Sequence, residues 1–383
     1  MTDSEIRRLL RVDAPDRRSL KHCFRVIRAS INAIRLLEPR IANQERERKS
    51  FLDSPSHYNP ELEFRTLEFD IDNFLSLLGE TESAARRMDV DGFGDEGAEI
   101  LKEMLAESFE ELRLHARLAD NLDEPDRWRR LSAQIWGEPD RQVFLDAVND
   151  LQDLEPSDRD EPLDAYDLAG MFRNHLYDLG VDYTVEVRRV PGNFNLPGDR
   201  TLVAAAGENG ERRYSRAEAR QLVVHECFHV VRAHNGYATA DRVDMPPFTG
   251  VFTPYYDRTE EGGAALREEE AGVLDDNKRF DYRIRTAAAY LVHDSGDFRE
   301  GFPDMVERLV DLGATEERAF DLLVRNRQAL RHHIYWGGTR CWQDVDRDLL
   351  LHGKLNSAYA SRLEPLLPQK PDVGAEDLFS SYP

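Results

Sequence analysis

The chain has 383 residues, 40% of them hydrophobic, which suffices for one large core or two medium ones and excludes a disordered chain. Its 74 Asp and Glu outnumber 51 Lys and Arg, for a formal net charge of −23. A nucleic-acid binder needs clustered cations to neutralise phosphates; the arginines here are interleaved with acids, so no nucleic-acid partner is expected.

In chain order, the opening stretch MTDSEIRRLLRVDAP has no apolar signal core. No run approaches the ~20 apolar residues that cross a bilayer, so a cytoplasmic location and no membrane partner are expected. Leu20, Phe24, Ile27, Ile31, Ile34 and Leu37 recur at three- and four-residue steps and predict a helix. The alternating charges of QERERK (Gln44–Lys49) predict a solvated helix face. DSPSHYNPELEF (Asp53–Phe64) breaks the helical pattern and reads as a loop. Ile100, Met104, Phe109, Leu112, Ala116 and Ala119 predict a long helix. Residues 1–160 thus form an N-terminal helical region, ending in the turn-rich acidic stretch LEPSDRDEPLD at 154–164.

Residues 161–383 open with a helix at about 163–178, and then the period changes. DYTVEVRRV (Asp182–Val190), RTLVAAAG (Arg200–Gly207) and ERRYS (Glu211–Ser215) predict a small three-segment sheet. Ser215 and Glu218 form an S-x-x-E capping box, which starts the next helix at Arg216; Asn235-Gly236 is its predicted stop. Helices separated by DSGD, LGAT and WGGT fill about 259–364. Three widely spaced cysteines, Cys23, Cys227 and Cys341, support neither a disulfide framework nor a cysteine metal cluster. The predicted fold is α+β and mostly helical, with a core whose small sheet packs on the helix from Arg216 and later helices closing a cleft. The 45 Arg against 6 Lys under so acidic a balance is the composition of proteins from salt-accumulating halophiles.

That helix carries His225-Glu226-Cys227-Phe228-His229. Residues i and i+4 share a helix face, so both imidazoles can point at one ion. Two imidazoles hold zinc, the ion acidifies a water, and Glu226 beside the first histidine accepts its proton. A catalytic zinc needs a third protein ligand. One metallopeptidase class supplies a histidine six residues after the second; here that position is Asn235, with Arg232 where a glycine is expected, and His234 falls on another face. The alternative is an acid from DRTEEGGAALREEEAG (Asp257–Gly272), which offers Glu260, Glu261, Glu268, Glu269 and Glu270. Gly262, Gly263, Ala264 and Ala265 would let this segment approach the motif helix closely. Spacing leaves Glu260 and Glu261 both open.

HECFHVVRAHNG followed by TEEGGAAL resembles the tyrosine carboxypeptidase family of zinc metallopeptidases, whose bacterial members carry a QEGLA motif and whose eukaryotic members include the microtubule-associated tyrosine carboxypeptidases. Thr259, Glu261, Gly262 and Ala264 match the family's T-x-E-G-x-A pattern, so the resemblance implies Glu261 as third ligand. FLDSPSHYNPELEF is similar to a family segment as well, and the resemblance covers most of about 20–365. Two residues separate the histidines where the family has three, Gly263 replaces a leucine, and RHHIYWGGTRCW replaces an arginine-glycine segment that helps bind substrate.

The resemblance implies a zinc carboxypeptidase acting on a peptide or protein C-terminus, with His225, His229 and Glu261 on zinc and Glu226 as base. The edge of the sheet near Arg212 and Tyr214 could pair with an extended peptide. Arg331 and Arg340, or His332 and His333, are candidates for the terminal carboxylate, and Tyr255, Tyr256 or Tyr335 for the oxyanion. A zinc endopeptidase or amidase, and a metal-binding regulatory protein without activity, are the rival readings. The tubulin role of the eukaryotic relatives is not carried over.

Overall fold

A computed structural model describes residues 40–55, 58–65, 70–87, 94–154, 162–242, 253–343 and 345–379. The helix predicted over 20–37, and 155–161 of the acidic stretch, lie outside them. The helices before the sheet are α1 (Gln44–Asp53), α2 (Ile71–Ala85), α3 (Gly94–Asp120), α4 (Pro125–Trp136), α5 (Arg141–Leu151) and α6 (Ala165–Asp178). The strands follow: β1 (Thr184–Arg188), β2 (Phe194–Leu196) and β3 (Thr201–Ala205). After them come α7 (Arg216–Arg242), α8 (Asp257–Glu270), α9 (Asp276–Asp294), α10 (Phe302–Asp311) and α11 (Glu316–Gln328). Short helices complete the chain: α12 (Ile334–Gly338), α13 (Arg347–Leu350), α14 (Ser357–Leu363) and α15 (Ala375–Phe379). The protein is therefore mostly helical α+β. No helix among the described residues is long and apolar enough to cross a membrane.

The chain divides into two compact units: Met1–Asp153 with Asp281–Gly337, and Leu154–Phe280 with Gly338–Pro383. Asp281–Gly337, which chain order groups with the later region, packs with the first unit. In that unit Phe51 of α1 stacks on Phe320 of α11 at 5.1 Å and meets Phe302 of α10 edge-on at 5.9 Å. The charged face predicted for α1 is not simply solvated. Glu47 is buried, and its carboxylate accepts hydrogen bonds from the Tyr58 hydroxyl (2.7 Å) and the Glu61 backbone N–H (2.8 Å). A charge in that place needs several donors, and the loop after α1 supplies them.

In the second unit Asp164 starts α6 with a complete capping box: its side chain accepts from the N–H groups of Tyr166 and Asp167, and the Asp167 carboxylate accepts from the N–H of Asp164. Leu168, Ala169, Phe172 and Leu176 give α6 its buried face. The sheet order is β1-β3-β2, with β1 parallel to β3 and β2 antiparallel to it. Central β3 is buried along its whole length, which explains its uninterrupted apolar run. The third predicted segment, ERRYS, is not a strand. Tyr214 makes only an isolated bridge to Leu163, and β2 takes the third place. The sheet edges among the described residues are therefore β1 and β2, and the segment with Arg212 and Tyr214, expected as a peptide-pairing edge, is not part of the sheet. α6 packs on β1 and β3, and α7 lies against β2.

Candidate metal centre

α7 starts as its sequence predicts, with Ser215 Oγ accepting from the Glu218 N–H at 3.0 Å. It does not stop at Asn235-Gly236 but continues to Arg242. Asn235 is buried, and its side-chain amide exchanges two hydrogen bonds with the backbone of Val373, at 2.8 and 2.9 Å. That tertiary bond outweighs the local stop signal. Val223, Val224, Cys227, Phe228, Val230 and Val231 are all buried, so the helix is enclosed on most sides.

His225 and His229 lie one turn apart, with their Nε2 atoms 3.2 Å from each other. Glu261 Oε2 of α8 stands 3.5 Å from His225 Nε2 and 3.8 Å from His229 Nε2. Each Nδ1 faces away, toward another carboxylate of the same helix: His225 toward Glu268 at 2.5 Å and His229 toward Glu260 at 2.8 Å. Partner numbers fall on α8 as they rise on α7, so the two helices run antiparallel here. Glu268 also accepts from the Gln221 amide at 2.5 Å. Glu260 accepts from Arg232 Nη1 at 2.5 Å and lies 2.7 Å from Lys354 Nζ.

The start of α8 is fixed from outside the helix. Tyr255 takes a left-handed φ of 54°, unusual for a residue with a side chain, and its carbonyl accepts from the Asn356 amide at 3.0 Å. Trp342 Nε1 donates to the Thr259 carbonyl at 2.8 Å, and the Ser357 N–H donates to Thr259 Oγ1 at 3.2 Å. The two glycines of α8 serve two different contacts. A Cβ on Gly263 would lie 2.5 Å from Phe228 of α7 and from Trp342, so Gly263 does allow close approach to the motif helix. A Cβ on Gly262 would lie 2.1 Å from the carbonyl carbon of Gly338, so Gly262 admits that backbone instead. Within WGGTRCW, Gly338 and Trp342 therefore buttress the helix that carries the three glutamates.

The donor set fits a metal ion. With an Nδ1–H donated to each carboxylate, both Nε2 lone pairs face the shared point, the tautomer a ligating imidazole needs. Tetrahedral ligands at zinc bond lengths sit about 3.3 Å apart, close to the three separations seen. Glu261 Oε2 is buried and has no hydrogen-bond partner, a costly arrangement for a carboxylate oxygen unless a cation meets it. Burial works against the Glu261 carboxylate, but contact with His225 and the charges of both imidazoles prevail and hold it down to about 2. Burial likewise disfavours a charged His225, yet Glu268 and Glu261 lift it to about 10. Glu260 is held below the usual carboxylate range against the cost of burial by Lys354, Arg232 and His229. Among the described residues His225, His229 and Glu261 are the one cluster of three His, Cys, Asp or Glu groups close enough to share an ion.

Glu226 is half-buried and has no hydrogen bond or ion pair among the described residues. Tyr214 is fully buried, and its hydroxyl donates to the Ala205 carbonyl, so it is engaged inside the fold. Tyr256 precedes α8, with Lys354 Nζ 5.6 Å over its ring. Arg340 is exposed on the 3-10 turn Thr339–Trp342. Arg331, His332, His333 and Tyr335 belong to the first unit. There Tyr335 stacks on Tyr282 at 5.5 Å, and burial with four nearby arginines keeps His332 far below its usual range. Burial also pushes the Cys227 thiol well up, away from the reactive thiolate form. Glu270 pairs with Arg347 through two contacts of 2.8 Å. The backing roles of Glu260 and Glu268 escape sequence reasoning. Their signal was the run of acids on one helix, and no spacing rule allots ligand and support within it.

The family model described as Microtubule-associated tyrosine carboxypeptidase matches residues 49–326, more than half of the chain and inclusive of both parts of the centre. No curated protein matches. Among solved structures, a candidate lipoprotein from Colwellia psychrerythraea is 14% identical; the similarity covers 94% of this chain and 78% of that one, with a TM-score of 0.44.

Proposed function

This chain belongs to the microtubule-associated tyrosine carboxypeptidase family, and from that membership and the centre's geometry we propose a zinc-dependent carboxypeptidase that removes C-terminal residues from peptides or proteins. The observation that carries the reading is Glu261 Oε2, buried without a hydrogen-bond partner and facing two imidazoles whose other nitrogens are anchored. His225, His229 and Glu261 hold the ion in a zincin-like arrangement. Bound there, zinc supplies the Lewis acidity that polarises a scissile carbonyl and acidifies a water. Glu226 takes the proton of the attacking water and returns it to the leaving amine; making no hydrogen bond or ion pair among the described residues suits it to that work. Arg340, exposed on the turn that packs on α8, receives the substrate's terminal carboxylate as a two-point guanidinium contact. Tyr256 at the start of α8 is the oxyanion donor.

The acidic, lysine-poor composition supports a cytoplasmic enzyme adapted to high salt, without nucleic-acid or membrane partners. The test is Glu226→Gln. The variant should bind one zinc per chain as the wild type does and lose at least 100-fold in turnover. Unchanged turnover would remove Glu226 from the chemistry. A wild type that binds zinc but cleaves no peptide would favour the regulatory reading.

A further inference from the structure

Each histidine is backed by a carboxylate of α8. Glu268, behind His225, is met by a neutral amide, Gln221. Glu260, behind His229, is met by two cations, Arg232 and Lys354. Both cations answer to the turn between α13 and α14. Arg232 is fully buried and donates from Nε to the Gly353 carbonyl (2.9 Å) and from Nη2 to the carbonyls of Leu355 (2.8 Å) and Leu350 (3.2 Å). Lys354 lies within that turn, and its carbonyl accepts from the Thr253 N–H at 3.0 Å. Asn356, the next residue but one, holds the carbonyls of Pro254 and Tyr255 ahead of α8. One turn of chain, 350–356, thus orients the second histidine and the helix that brings Glu261.

We propose that Arg232 and Lys354 are positioning residues of the metal centre, acting through Glu260 to fix the tautomer and aim of His229. This rests on the zinc reading above. A carboxylate with no cation beside it would be free to turn, and the ring that faces it would turn with it. With two cations in place, Glu260 keeps one orientation, and so does the His229 ring whose Nδ1 faces it. Loss of an outer partner of this kind lowers metal affinity 10- to 100-fold. Arg232 also satisfies three buried carbonyls, so its removal would damage the fold as well. Lys354 is the cleaner probe: its side chain is partly exposed and, among the described residues, pairs with Glu260 and lies over the Tyr256 ring.

The experiment measures zinc dissociation constants by chelator competition, together with the visible spectrum of the cobalt-substituted protein, for wild type, Lys354→Met, Lys354→Arg, Glu260→Gln and the exposed surface variant Lys370→Met. Thermal unfolding of each metal-free protein is the control for folding. The expected result is affinity weakened 10- to 100-fold in Lys354→Met and Glu260→Gln with an altered cobalt spectrum, largely restored in Lys354→Arg, unchanged in Lys370→Met. A wild type that binds zinc while Lys354→Met and Glu260→Gln bind it equally tightly, with the same cobalt spectrum, overturns the inference and leaves the zinc reading standing. A wild type that binds neither metal overturns the zinc reading and the inference with it.

Discussion

Replacing Gly262 by alanine is a sharp test of how α8 is placed. The added Cβ would lie 2.1, 2.3 and 2.5 Å from the carbonyl carbon, carbonyl oxygen and Cα of Gly338. Carbon atoms make contact at about 3.5–4.0 Å, so the two backbones must part by roughly 1.5 Å. The three nearest obstructing atoms are all main chain, so no flexible side-chain end among them can yield. Overpacking costs typically 1–3 kcal/mol and occasionally more; with backbone on both sides we expect about 3 kcal/mol or more. At about 2–4 °C per kcal/mol for a unit of this size, Tm should fall by roughly 6–12 °C. Moving α8 also displaces Glu261, so zinc affinity should fall with it. The companion variant Gly170→Ala has nothing within 4 Å of its Cβ inside α6 and should stabilise by about 0.5–1 kcal/mol. The assay is thermal unfolding by circular dichroism with zinc titration of each protein. A Gly262→Ala protein melting within 2 °C of wild type would refute the close packing of α8 on Gly338.

Four further outcomes are expected. Asn235→Ala strands the buried N–H and C=O of Val373 and should cost about 2–4 kcal/mol, read by urea unfolding. Burial, aided by nearby Arg331 and Arg267 respectively, depresses His115 and His175 to about 4. Their folded values lie below the unfolded value of 6.5, so they have no effect above pH 6.5; stability then falls as pH drops from 6.5 to 4, by about 3 kcal/mol for each. His175→Gln should flatten that slope, as measured by unfolding at stepped pH. Glu47→Ala leaves the Tyr58 hydroxyl and the Glu61 N–H without their acceptor and should lower stability by about 2–3 kcal/mol. Arg340→Ala should raise KM for peptides with a free C-terminus at least tenfold while changing kcat much less, as steady-state kinetics would show.

The parts of the centre that lie close together in sequence were legible. His225 and His229 share a face because a helix repeats every 3.6 residues, and Ser215 announced the helix start. The helix end was not legible, since Asn235 and Gly236 carry a stop signal that a bond to Val373, 138 residues away, overrides. ERRYS has strand chemistry, but β2 already occupies the edge beside β3. The acids on α8 were visible as a run; their division into a ligand and two supports depends on which face meets α7, which the pairing of Gly262 with Gly338 and of Gly263 with Phe228 and Trp342 decides. Glu47 looked solvated because alternating charge usually is; the loop that buries it begins only after the helix has ended.

The most direct test of a metallocarboxypeptidase is mass spectrometry of peptides with varied C-termini, free or amidated, incubated with the zinc-loaded protein at high salt, with and without a chelator. The account predicts stepwise loss of single C-terminal residues from the free peptides, abolished by the chelator and by Glu226→Gln. Internal cleavage, or cleavage that survives complete removal of the metal, would contradict it.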